Sequence, residues 1–65
     1  MQISVNGKQH DVEARTLAAL LAELDYSEAT VATALNQAFV RAADRVATAL
    51  NEGDQVEILV PRQGG

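Results

Sequence analysis

The sequence has no cysteine and no tryptophan, and among its 65 residues there is one proline, one histidine, one phenylalanine and one tyrosine. Without cysteine there is no disulfide framework and no thiolate metal site, and any sulfur the chain handles has to be held by some other group. His10 has neither a second histidine nor a cysteine with which to share a metal, so no metal site is expected and it reads as a packed or half-exposed side chain. Two aromatic residues offer little for stacking on bases. Basic residues are few as well: five Lys and Arg against nine Asp and Glu, a net charge of −4. A phosphate backbone calls for a basic face, so no nucleic-acid partner is expected; the acidic balance suits solubility and a basic protein partner. No apolar run reaches membrane-spanning length and nothing resembles a signal peptide, so no membrane association is expected and the cytoplasm is the expected compartment.

Against these absences, an apolar content of 48% is ordinary for a folded domain. The length suits one small domain with a marginal core, expected to be a monomer. Met1 to Val5 alternates apolar and polar residues, the pattern of a half-buried strand. Asn6-Gly7 follows, and both residues accept the positive φ of a two-residue type I′ turn. Lys8 to Val12 is then the return strand, with Val5 facing Lys8, Ile3 facing His10 and Met1 facing Val12.

After the connector Glu13 to Arg15, Thr16 is a helix N-cap. Leu17, Leu20, Leu21 and Leu24 recur at helical spacing and form one apolar stripe. Asp25 to Thr30 is the loop that ends the helix. Val31 to Leu35 is a third strand with Val31, Thr33 and Leu35 on one face, Asn36-Gln37 a turn, and Ala38 to Arg41 a fourth strand. Phe39 and Val40 point to opposite faces there, so one of them is exposed. Between Ala42 and Leu50, Val46, Ala49 and Leu50 fit a single helical turn that Asp44 caps. Asn51 to Asp54 is a turn. Gln55 to Val60 is the last strand, with Val56, Ile58 and Val60 inward and Leu59 outward. The expected core is Ile3, Val5, Leu17, Leu20, Leu21, Leu24, Leu35, Val56 and Ile58. The class is α+β, a mixed sheet with one main helix packed on one face.

The sequence closes on Pro61-Arg62-Gln63-Gly64-Gly65. Pro61 cannot donate a ladder hydrogen bond and marks the end of pairing. Two glycines without Cβ atoms make a thin, flexible thread ending in a carboxylate, slim enough for a narrow channel in a partner. Residues 1–60 then form the domain and 61–65 a flexible tail, whose working group is the α-carboxyl of Gly65. Leu59, with one of Phe39 and Val40, offers an outward apolar surface beside the tail, and Arg62 suits an acidic groove.

The element order, the opening Met1-Gln2-Ile3 with Asn6-Gly7, Thr16-Leu17 leading into Leu20-Leu21, and Ala34-Leu35-Asn36 before Phe39-Val40 together resemble one family. Glu52-Gly53-Asp54-Gln55-Val56-Glu57-Ile58 before the terminal glycines completes the likeness. It is to the thiamine-biosynthesis sulfur carrier proteins, the ThiS family, over the whole chain. Arg41-Ala42 and Pro61-Arg62-Gln63 depart from the family's usual residues. The resemblance implies a ubiquitin-like β-grasp fold with the first and last strands as parallel neighbours in the middle of the sheet. It implies that an E1-like adenylyltransferase joins Gly65 to AMP, using ATP that the partner and not this chain binds. A cysteine desulfurase or other persulfide donor then supplies sulfur, and the resulting thiocarboxylate serves thiazole synthase. On this reading the chain is a carrier and not an enzyme, with no cofactor of its own. The small subunit of molybdopterin synthase, a ubiquitin-like modifier conjugated through Gly65, and a β-grasp interaction module with idle glycines stay open beside it.

Overall fold

The computed structural model describes residues 1–26 and 30–61. Five strands, one α-helix and one 3-10 helix follow the chain in the order β1 Gln2–Val5, β2 Lys8–Asp11, α1 Leu17–Glu23, β3 Ala32–Leu35, β4 Ala38–Val40, the 3-10 helix Ala42–Ala47, and β5 Gln55–Leu59. The sheet order is β2-β1-β5-β3-β4. β1 and β5 lie parallel, while β1–β2, β3–β4 and β3–β5 are antiparallel. First and last strands are thus parallel neighbours inside a mixed sheet, as the resemblance implied.

Both hairpins use left-handed turn residues: Asn6 (φ 52°) with Gly7 (φ 84°), and Asn36 (φ 50°) with Gln37 (φ 73°). Positive φ at both central positions matches the twist of the flanking strands. The first turn sets the expected register, Val5 opposite Lys8 and Ile3 opposite His10. Met1 and Val12 meet beyond the strand ends, where the Val12 N–H donates to the Met1 carbonyl at 2.8 Å.

Thr16 caps α1 as expected, its Oγ1 accepting from the Ala19 N–H at 3.1 Å. The helix closes in a Schellman motif. The Tyr26 N–H donates to the Leu21 carbonyl at 2.6 Å and the Asp25 N–H to the Ala22 carbonyl at 3.1 Å, with Asp25 left-handed at φ 71°. Leu17, Leu20 and Leu21 are buried in one cluster with Ile3, Val5, Val56 and Ile58. Leu24 and Leu35 pack against that cluster half-buried, and Val12, Ala14, Val31 and Leu50 join it.

Three details differ from the sequence expectation. Helical structure in the 42–50 segment covers Ala42–Ala47, not a turn through Leu50. Asp44 is not its cap but lies in the first turn, 3.5 Å from Arg41 Nε, and Val46 is 72% exposed. Leu50 is buried from an extended segment instead, because Ala49 bridges to Thr16 and the Leu50 N–H donates to the Arg15 carbonyl. Next, β5 stops at Leu59, and Val60 is 58% exposed rather than inward: β3 pairs no further than Leu59, so no neighbouring strand covers it. Finally, β4 stops at Val40, leaving Arg41 as the residue that leads into the 3-10 helix.

Candidate functional site

β5 is the middle strand, and at its C-terminal end Val60 and Pro61 leave the sheet. Since β1 runs parallel to it, the Asn6-Gly7 turn lies at that end. Since β3 runs antiparallel, the start of β3 and the end of β4 lie there too. The topology therefore gathers Asn6, Lys8, Val31, Val40, Arg41 and the Ile58–Pro61 segment around one point of departure. Arg62, Gln63, Gly64 and Gly65, and with them the expectation of a flexible thread carrying a reactive carboxylate, lie outside the described residues.

Strand register decides which side chains share a face. On the sheet face away from α1, Phe39 stands opposite Ala34, Ala34 opposite Glu57, and Ala32 opposite Leu59. Phe39 is 71% exposed and Leu59 is 68% exposed. The two alanines between them leave a shallow apolar floor with a large side chain on either side. Val40 sits opposite Thr33 on the other face, half-buried against the core. Of the two β4 candidates it is Phe39 that faces outward, and Val40 belongs to the core side.

A polar network holds that edge of the sheet. Thr33 is buried, and its hydroxyl donates to the Val40 carbonyl at 2.8 Å while accepting from Arg45 Nε at 3.0 Å. Arg45 Nη2 also donates to the Val31 carbonyl at 2.7 Å. The guanidinium thus ties the 3-10 helix to the start of β3 and steadies the short strand that carries Phe39. Lys8 and Arg41 remain exposed at this end, one beside each outer strand.

A second pair of side chains holds β5 itself. Asn6 Nδ2 donates to the Ile58 carbonyl at 3.0 Å, and Asn6 Oδ1 accepts from the Ile58 N–H at 2.8 Å. At the other end of β5, Asn36 Oδ1 accepts from the Gln55 N–H at 2.9 Å. Sequence reasoning saw both asparagines only as turn formers. Their second role depends on residues far along the chain, and nothing local signals it.

His10 is half-buried opposite Ile3. Among the described residues no group of three or more His, Asp or Glu could hold a metal, and no helix is long and apolar enough to cross a membrane. An open hollow lined by Met1, Asp11, Val12, Glu13, Arg15 and Leu50 lies at the far end of β1, away from the tail. The tail end of the sheet carries the exposed Phe39 and Leu59 on either side of Ala32 and Ala34.

Comparison with known proteins agrees with this layout. The model of the ThiS family matches residues 3–65. The chain is similar to the crystal structure of the thiamine biosynthesis protein (ThiS) from Geobacter metallireducens, at 32% identity over 100% of both chains and a TM-score of 0.84. It is also similar to the NMR solution structure of a thiamine biosynthesis protein from Geobacter metallireducens, at 30% identity, with 100% of this chain and 88% of that one covered and a TM-score of 0.81. No curated protein matches the chain at a significant level. The five-stranded mixed sheet with one main helix is a ubiquitin-like β-grasp.

Proposed function

The chain belongs to the ThiS family, and from that premise we propose that it is a sulfur carrier for thiazole formation in thiamine biosynthesis, with the α-carboxyl of Gly65 as the group that is loaded. The observation that carries the reading is where the tail starts. The middle strand ends at Leu59, Pro61 cannot extend its pairing, and the departing segment borders the apolar face of Phe39, Ala32, Ala34 and Leu59. Residues 1–60 serve as a handle, and 61–65 reach into a partner's site.

A carboxylate resists attack because its oxygen is a poor leaving group. An E1-like adenylyltransferase using ATP converts Gly65 to an acyl adenylate and releases pyrophosphate. A persulfide, supplied by a cysteine desulfurase or another donor, attacks the acyl carbon and expels AMP. Cleavage of the resulting acyl disulfide by a thiol leaves a thiocarboxylate on Gly65, which hands its sulfur to thiazole synthase. The chain contributes docking surface and a placed carboxylate, and the partners contribute the catalysis. Arg62 and Gln63 lead the two glycines into the partner, and a Cβ at Gly64 would crowd a channel shaped for the thread.

The test is transfer of AMP to the chain by an E1-like enzyme with ATP, compared with the chain lacking Gly65 and with one alanine appended. An added residue moves the carboxylate by about 3.3–3.6 Å in an extended chain. A misplacement near 1 Å costs roughly a hundredfold. Both variants should take no AMP and melt like the parent. Adenylation of either one at the parent's rate would remove Gly65 from its assigned role, and lysine conjugates of the parent would favour a protein modifier.

A further inference from the structure

The two asparagine clamps on β5 differ in one respect that bears on the tail. Asn36, in the β3–β4 turn, holds the start of the strand: its N–H donates to the Gln55 carbonyl at 2.7 Å, Oδ1 accepts from the Gln55 N–H at 2.9 Å, and Nδ2 donates to Asp54 Oδ1 at 3.1 Å. Asn6, in the β1–β2 turn, holds the end: its N–H donates to the Val56 carbonyl at 2.9 Å, and its carboxamide takes both backbone groups of Ile58. The chain of β1 turns away at Asn6-Gly7, so no backbone remains on that side to pair with Ile58. The Asn6 carboxamide, one donor and one acceptor in a plane, stands where the next peptide group of β1 would have been. On the β1 side the last held residue is Ile58, and on the β3 side it is Leu59. Val60 is the first residue held by neither.

We infer that Asn6 is a positioning residue for the C-terminal tail: its carboxamide fixes the point and direction at which the chain leaves the sheet. This rests on the carrier reading, since the departure point matters only if Gly65 must reach a defined place in a partner. Residues 60–65 span the distance from clamp to reacting carboxyl, and freeing Ile58 leaves the root of that tether held from the β3 side alone, through Leu59, which loosens the direction in which Val60 leaves the sheet and so the aim of the carboxyl. Docking through Phe39 and Leu59 remains, because Leu59 keeps its pairing with Ala32. The loss falls on the rate of the bound complex and not on its formation.

Asn6→Gly and Asn36→Gly form a matched pair for the test. Both positions have positive φ, 52° and 50°, so glycine keeps each turn and removes only the carboxamide. Amide exchange on the isolated chain reads the clamp. In Asn6→Gly the Ile58 amide should exchange about fivefold faster relative to Leu20, the scale of one lost hydrogen bond, with no such change in Asn36→Gly. Adenylation of the folded variants reads the consequence. Asn6→Gly should lower kcat by roughly ten- to a hundredfold with KM within about twofold of the parent, the scale of a misplacement near 1 Å. Asn36→Gly should leave kcat alone. Should Asn6→Gly fail to fold, Asn6→Asp keeps the acceptor for the Ile58 N–H and loses the donor to the Ile58 carbonyl, so it is read by kcat alone: a fall with KM unchanged is expected, and the parent's kcat overturns the inference. Unchanged Ile58 exchange, or equal kcat losses in both glycine variants, overturns the inference. If the parent itself takes no AMP, the carrier reading fails, while the exchange result still decides whether Asn6 pins the strand.

Discussion

Phe39 and Val40 are neighbours in β4 and face opposite ways, so truncating each in turn separates docking from folding. A phenylalanine side chain buries about 150–250 Å² when fully covered. With Phe39 71% exposed, about 110–180 Å² of that stays available to a partner. At about 25 cal/mol per Å², covering it is worth at most about 3–4 kcal/mol. Ordering and imperfect desolvation reduce such figures, so Phe39→Ala should raise the KM of the activating enzyme by roughly ten- to a hundredfold, or about 1–3 kcal/mol. Its effect on stability should stay within about 0.5 kcal/mol, because the ring covers little of its own protein. Val40→Ala should behave the other way. It removes two methyl groups packed against the core and should cost about 1 kcal/mol, a fall of about 4–8 °C in a domain of this size, with KM unchanged. The assays are pyrophosphate exchange against carrier concentration and a thermal melt of each variant. A Phe39→Ala chain that is activated with the parent's KM would refute the assignment of this face, whatever its melting temperature.

Three further outcomes test the fold that holds the site. Leu20 is fully buried, so Leu20→Ala should cost about 2–5 kcal/mol out of the about 3–10 kcal/mol expected for a domain of this length; a urea midpoint equal to the parent's would contradict the core. Thr33→Val leaves Arg45 Nε and the Val40 carbonyl without the hydroxyl they share, and should cost about 1–3 kcal/mol in urea unfolding, where a higher midpoint would show the network to be dispensable. Gln37 is held at φ 73° with a side chain, and Gln37→Gly should raise stability by about 0.5–1 kcal/mol in a thermal melt; a lower melting temperature would mean that the Gln37 side chain has a role of its own.

Much of this fold was legible because its local signals agree with each other. The alternation in Met1 to Val5, the Asn6-Gly7 turn, the Thr16 cap and the leucine stripe each point to one arrangement, and the register of the first hairpin follows from its turn. The parallel pairing of β1 with β5 joins the two ends of the chain, and only the family resemblance indicated it. The 42–50 segment is ambiguous in sequence because its alanines carry no period, so nothing marks which turn is helical. Val60 fits the alternation of β5 but has no strand beside it, and burial is a property of neighbours. Ala14 and Leu50 add to the core from connecting segments where no pattern announces them, while Val12 joins it just past β2, opposite Met1 as the hairpin register places it. At the site, Leu59 was readable from alternation alone. The choice between Phe39 and Val40 needed the pairing of Thr33 with Val40, and the Asn6 clamp on Ile58 needed two residues far apart in sequence to be brought together.

On the proposed function, Gly65 carries sulfur as a thiocarboxylate. Intact-mass spectrometry tests it most directly, after the chain is incubated with an E1-like enzyme, ATP, a cysteine desulfurase and cysteine. The predicted result is a product in which one oxygen is replaced by sulfur, found on the C-terminal peptide, absent without ATP and absent from the chain lacking Gly65. A chain recovered at its starting mass after it has accepted AMP, or sulfur found anywhere other than Gly65, would contradict the claim.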